Sequence, residues 1–230
     1  MPHDRFYIDA PLDQKCDLEG DEFQHLTRVM RKKEGDEIEL INGRHKLALA
    51  RIEAIEKRSA HLTILHCKEQ KPLLPPLTLV QAMPKLSNLE LILQKGTELG
   101  VSTFWIFQST HSEKKELSET QKKRLDHIVI SAMKQCGRLD RPELKWGFPD
   151  PLPGHVYVGT LGGEKTPHLT EVAQHPATLI IGPEKGLTEE EIKKYEAAGQ
   201  GVSLGPYTLR AETAAIAGLA ILGNQSLEKS

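Results

Sequence analysis

The chain of 230 residues is 38% hydrophobic and 27% charged, enough for one large or two modest domains with real cores. Its formal net charge of -2 excludes a uniformly basic nucleic-acid binder but leaves room for local patches such as RVMRKK (28–33) and KKR (122–124), the latter read as a solvated face. No stretch approaches the ~20 apolar residues of a membrane span, the start lacks the apolar segment of a secretory signal, and Cys16, Cys67 and Cys136 form no C-x-x-C pair; a cytoplasmic protein with reduced thiols, no metal site and no membrane contact is expected.

Residues 5–70 read mostly as short strands. DEIELI (36–41) and HKLALARIEAI (45–55) flank Asn42-Gly43, a strong hairpin signal, and AHLTILHC (60–67) alternates behind them. One helix interrupts, DEFQHLTRVMR (21–31), with Phe23, Leu26 and Met30, and Val29 beside them, as its apolar stripe. These elements predict a small β-barrel with one helix. KPLLPPL (71–77) is a stiff connector and places the domains at 1–72 and 73–230.

Beyond it, strands alternate with helices. LTLVQAM (77–83) is an apolar run of strand length, and Ser87-x-x-Glu90 predicts a capping box opening a helix that stops at Gly100. VSTFWIFQ (101–108) is the next strand. Ser118-x-x-Gln121 opens a longer helix, with Leu125, Ile128, Val129, Ala132, Met133 and Cys136 on one face and Gly137 at its end. A proline-rich loop leads to the strand HVYVGTL (155–161); ATLIIG (177–182) follows, then a helix capped by Thr188-x-x-Glu191, then GVSL (201–204). Strands without alternation between amphipathic helices imply a parallel sheet covered on both faces, an α/β domain whose ligands bind beyond the strands' carboxyl ends. Three loops therefore form the candidate site, at 159–163, 182–186 and 205–210.

The first loop, GTLGGEKT (159–166), comes close to a phosphate-binding P-loop, but Glu164 stands where glycine is needed and Pro167-His168 where a helix should begin. The second, GPEKG, precedes an acidic cluster, Glu184, Glu189, Glu190 and Glu191. Those carboxylates suit a helix dipole but repel an anion, so a cationic or neutral ligand fits better. The third raises a question: Arg210 and Glu212 stand at the mouth of the apolar segment AAIAGLAIL, costly to desolvate unless they join an ion network or serve a ligand.

IGPEKGLTEEEI (181–192) and VSLGPYTLRAETAAIAGLAIL (202–222) resemble the two signature segments of the RsmE family, SPOUT-superfamily methyltransferases that modify N3 of a uridine in small-subunit (16S) ribosomal RNA. HLTRVMR (25–31), RFYI (5–8), QKGTELGV (94–101) and MKQCGR (133–138) resemble further family segments in the same order. Departures from the usual family pattern are Lys185 and Leu187 in the glycine loop, Tyr207 and Thr208 before Leu209, and His111 in place of an arginine.

The resemblance implies a C-terminal SPOUT-type trefoil knot, a preceding PUA-like β-barrel, a homodimer, and S-adenosylmethionine as cofactor. It assigns Thr160, Leu161, Gly162, Ile181, Gly182, Pro183, Glu184, Leu204, Gly205, Leu209 and Arg210 to the cofactor and Arg5, His25, Arg28 and Arg31 to ribosomal RNA or the small ribosomal subunit, with His25 equally readable as a core or cap histidine. Arg210 is the expected cation beside the reacting uridine, with Glu212 orienting it or accepting a proton; an ion pair stabilising the helix start or the dimer is the bland alternative. Rival readings are a non-catalytic RNA-binding relative and a nucleotide-binding α/β enzyme using residues 159–166.

Overall fold

The computed structural model describes residues 5–112, 116–163 and 165–225; Glu164 of the near-P-loop lies outside the described residues. Contacts divide the chain into two units, Met1–Leu73 with Ile130–Arg141, and Leu74–Val129 with Pro142–Ser230.

The first unit holds β1 (Arg5–Tyr7), β2 (Lys15–Glu19), β3 (Glu37–Ile41), β4 (Lys46–Ile55) and β5 (Ser59–Glu69) in one sheet of order β1-β3-β4-β5-β2. The β1–β3 pair is parallel and the other pairs are antiparallel. Alternation works as the sequence indicates: Ala48, Ala50 and Ile52 of β4 are buried, while Leu49, Arg51 and Glu53 between them face solvent. Register shifts between β4 and β5 at Leu49/Ala50 and Ile52/Ala54 bend the sheet into the PUA-like half-barrel, since each unpaired residue adds local twist. Asn42 closes the hairpin, its side-chain oxygen accepting the Arg44 N–H at 2.9 Å.

The helix expected over 21–31 is not uniform. α1 (Gly20–Gln24) passes into a π-helical turn at His25–Val29, where the Met30 N–H reaches the His25 carbonyl at 2.9 Å. The wider turn keeps Phe23 and Leu26 buried and leaves Val29 65% exposed, so Val29 drops out of the apolar stripe.

The second unit contains β6 (Leu77–Ala82), α2 (Leu86–Glu98), β7 (Thr103–Phe107), α3 (Glu119–Cys136), β8 (Glu143–Trp146), β9 (His155–Gly159), α4 (Leu169–Val172), β10 (Ala177–Ile181), α5 (Glu189–Glu196), β11 (Gln200–Val202) and α6 (Ala211–Gln225). The end of α3 falls in the first unit, where Met133 packs with Ile41 and Leu139. All six strands run parallel in the order β11-β9-β10-β6-β7-β8. Leu79, Leu179 and Ile181 pack on one face against Leu89 of α2, Leu125 of α3 and Leu219 of α6. Val80, Val158 and Ile180 pack on the other against Tyr195 of α5 and Phe148. Both faces are covered, as the unbroken apolar strands require. Two elements escaped the sequence: β8, a four-residue edge strand inside the proline-rich stretch, and the single-turn α4.

Backbone hydrogen bonds fix the chain around Ser203. The Thr160 N–H donates to the Val202 carbonyl at 3.0 Å, the Ser203 N–H to Pro167 at 2.9 Å, and the Leu169 N–H to Ser203 at 3.0 Å. The chain leaving β11 is thus held between the two limbs of the loop after β9, at 160 on one side and 167–169 on the other. α6 then returns across the sheet against α2, β6 and β10, and the His175 ring nitrogen Nε2 meets the Leu222 carbonyl at 2.8 Å.

Helix capping corrects one expectation. Ser118 with Gln121 and Thr188 with Glu191 form the predicted boxes. Ser87 does not: α2 begins one residue earlier, its N-cap is Lys85, and no side chain of the cap residue serves it. Thr188→Ala and Ser118→Ala are therefore expected to lower unfolding free energy by ~0.5–2 kcal/mol each, whereas Ser87→Ala stays within ~0.5 kcal/mol of wild type. Urea unfolding at constant m-value checks this, and an equal loss at Ser87 contradicts the cap assignment.

Candidate active site

Sheet order sets the loops after β9, β10 and β11 side by side at the carboxyl edge, next to the switch point where β6 lies against β10. They enclose a cleft of about 290 Å³, at the small end of ligand sites. Thr160, Leu161, Ile181, Gly182, Pro183, Glu184, Leu204, Gly205 and Leu209 line it; Gly162 and Arg210 of the expected set do not. Sequence reasoning missed Ile192 of α5 and Ala211 and Ala214 of α6, which also face the cleft. The i, i+3 spacing of the two alanines, small residues at a helix start, was the available signal.

The glycine loop turns tightly. The Gly186 N–H donates to Pro183 at 2.8 Å, Gly186 has φ 73°, and a Cβ on Gly182 would stand 3.0 Å from the Leu187 nitrogen, so both positions favour glycine. At Gly205 a Cβ would meet nothing within 4 Å; the missing side chain leaves open space toward a ligand.

Two of the four acidic residues, Glu184 and Glu191, are employed structurally. Glu184 Oε1 accepts the Lys85 N–H at 2.9 Å and Asn88 Nδ2 at 2.7 Å, so it caps α2 from across the sheet edge. Glu191 Oε1 accepts the Thr110 N–H at 2.8 Å and the Thr110 hydroxyl at 3.0 Å, and its Oε2 accepts the Thr188 N–H at 2.9 Å. His111 Nδ1 meets the Gly186 carbonyl at 3.0 Å. Burial pushes both carboxyls up, but these donors outweigh it and hold Glu184 and Glu191 below the usual carboxylate value. The glycine loop is thereby tied to the loops after β6 and β7.

Beneath it lies Gln81, fully buried at the end of β6. Its Nε2 donates to the carbonyls of Ala82 at 2.9 Å, Gly182 at 3.0 Å and Ile181 at 3.4 Å. An amide side chain within the apolar run LTLVQAM was its sequence signal. In the near-P-loop, by contrast, several amides are already engaged: Thr160 N–H on Val202 and Gly163 N–H on the Thr166 hydroxyl at 3.0 Å.

Arg210 is exposed immediately before α6, and Glu212 lies in the first turn of α6 with Oε2 buried and unpartnered. Neither joins an ion pair among the described residues, so the ion-pair alternative is not realised within this chain. In the first unit, Arg28 and Arg31 are exposed, and the half-buried His25 ring stands 5.6 Å from that of Phe6. Arg5 is placed otherwise than the resemblance implies. Its side chain is 9% exposed and pairs with Glu39 through Nε at 3.0 Å and Nη2 at 2.8 Å, which makes it a support of β1 on β3.

A model described as RNA methyltransferase domain matches residues 69–223, and one described as RNA methyltransferase PUA domain matches 18–65. The ribosomal RNA small subunit methyltransferase E of Aquifex aeolicus is 31% identical over 232 residues, 95% of this chain and 98% of its own. The chain belongs to the ribosomal RNA small subunit methyltransferase E family. The family member from Mycobacterium tuberculosis is 29% identical, covering 95% of this chain and 90% of its own. The Neisseria gonorrhoeae member, solved bound to S-adenosyl methionine, superimposes with a TM-score of 0.85 at 30% identity, covering 96% of this chain and 97% of its own. A Legionella pneumophila methyltransferase in complex with its cofactor SAM gives 0.86 at 29% identity with the same coverage. The donor set fits such a group: a cleft walled by backbone, open at Gly205, with the carboxylates of Glu184 and Glu191 engaged elsewhere.

Capping by Glu184 makes a testable claim. Glu184→Ala should cost ~1 kcal/mol of stability and Glu184→Gln, which keeps an acceptor, less. Because its folded value lies below the ordinary 4.5, the contribution is complete above that pH and fades as pH falls through the depressed value. Melting temperatures followed from neutral to about pH 3 should fall less steeply for Glu184→Gln than for wild type; parallel profiles contradict the cap.

Proposed function

We propose that this protein transfers a methyl group from S-adenosylmethionine to N3 of a uridine in small-subunit ribosomal RNA. The observation that carries the proposal is the hydrogen-bonded return of the chain at Ser203, which brings the loop 204–209 to the cleft and starts α6, with Glu212 in its first turn, beside it. Residues 1–72 act as the RNA-binding PUA-like domain, through His25, Arg28 and Arg31 with Arg5 in a supporting role, and residues 73–230 as the methyltransferase domain. The working unit is a cytoplasmic homodimer. Among the described residues no helix is long and apolar enough to cross a membrane.

The cofactor, when bound, supplies a methyl group on a cationic sulfonium. Backbone groups at 160–161, 181–183 and 204–205 hold the adenosine, with Gly162, Glu184 and Leu209 shaping the loops around it. The protein's main task is position, since in-line displacement needs donor and acceptor in near-attack geometry. Uridine N3 must shed its proton as its bond to carbon forms. The Arg210 guanidinium stabilises the negative charge that develops on the ring, and Glu212, whose buried Oε2 has no partner among the described residues, orients Arg210 or accepts the proton.

Saturation with S-adenosylmethionine at one hundred times its Kd should add about 2.7 kcal/mol of stability, with no effect of ATP. Arg210→Ala should reduce kcat by ~10²–10³-fold, read as methyl incorporation into small ribosomal subunits that lack the modification. Absence of any cofactor shift would favour a non-catalytic RNA-binding relative, and unchanged methylation and cofactor affinity in Arg210→Ala would remove that residue from the site.

A further inference from the structure

Tyr207 and Trp146 are the exposed aromatic side chains among the described residues. Trp146 is 38% exposed and has the Lys122 ammonium 5.8 Å from its ring centroid. Tyr207 is 82% exposed and makes no hydrogen bond or ring contact with any described residue. Leu161 is also 82% exposed. Single apolar residues at a surface need no explanation. These two, the most exposed large apolar side chains described, both line the same cleft, from loops that follow different strands.

Tyr207 is also held in place. Ser203 Oγ donates to the Gly205 carbonyl at 3.1 Å, Pro206 fixes its own φ, and α6 begins at Ala211 with the Ala214 N–H on the Arg210 carbonyl at 2.8 Å. The backbone of Tyr207 sits between two anchors a few residues apart.

We propose that Tyr207 is the stacking platform for the base to be methylated, with Leu161 completing the apolar mouth. The inference rests on the methyltransferase reading above. N3 lies on the Watson–Crick edge of uracil and is inaccessible in a paired base, so the target enters unpaired and splayed from its neighbours. An aromatic ring holds such a base by its π-face. A face-on stack leaves the in-plane edge, and N3 with it, free to approach the methyl donor, which a hydrogen bond to that edge would not. Tyr207 is thus a specificity residue for an unpaired base.

The test is steady-state methylation of unmodified small ribosomal subunits by wild type and by Tyr207→Phe, Tyr207→Leu and Tyr207→Ala, with cofactor affinity followed by thermal shift and assembly by size exclusion. Tyr207→Ala and Tyr207→Leu should raise KM for the subunit about tenfold or more, Tyr207→Phe should stay near wild type, and cofactor affinity should be unchanged in all three. The salt dependence of RNA binding should keep its slope, because stacking releases no counterions, in contrast to loss of a phosphate contact at Arg28 or Arg31. The proposal is overturned if KM is unchanged in Tyr207→Ala, if Tyr207→Leu matches wild type, if the defect lies in cofactor affinity, or if the variants change assembly state. Failure of the wild type to methylate at all would instead overturn the underlying reading.

Discussion

The hold on residues 202–203 between the two limbs of the loop after β9 is the constraint on which the active site depends. Three backbone hydrogen bonds, from Thr160, Ser203 and Leu169, fix residues 202–203 between the limbs of the loop after β9. Without that grip, the loop 204–209 would be an ordinary surface connection and α6 would have no reason to begin at the cleft. With it, one segment supplies a wall of the cleft, an exposed arginine and a carboxylate with a buried, unsatisfied oxygen. Burial of a polar atom without a partner is unfavourable, and such a group is retained most readily where a ligand completes it.

The glycine loop is held by hydrogen bonds to carboxylates as well as by the packing of Leu187 against the core. Glu184 and Glu191 each accept several hydrogen bonds, and these hold the glycine loop to the start of α2 and to Thr110. A preorganised cradle loses less freedom on binding, and a methyl transfer governed by position benefits directly.

Much of the architecture was legible. Unbroken apolar runs such as LTLVQAM and ATLIIG announce buried parallel strands, Asn42-Gly43 announces a hairpin, and Ser118 and Thr188 announce helix starts, because all of these are local physics. The failures are non-local. Ser87 looked like a cap because the true acceptor for the start of α2, Glu184, lies nearly a hundred residues away in sequence. Val29 left the core because of a π-helical turn that no apolar spacing encodes. Arg5 looked free for RNA because its partner Glu39 comes from a different strand. Strand-end reasoning located the cleft, yet Ile192, Ala211 and Ala214 needed the packing of α5 and α6 to be seen. A knot is an expectation that only family resemblance supplies, since periodicity carries no information on threading.

The most direct test of the account is to incubate small ribosomal subunits lacking the modification with the protein and S-adenosylmethionine, then map the product by primer extension and mass spectrometry. A methyl on N3 occupies the Watson–Crick edge and arrests reverse transcription, so the account predicts one new stop at a single unpaired uridine, with the mass of one methyl group on that base. Methylation of a ribose hydroxyl, of another base, or of nothing would contradict it.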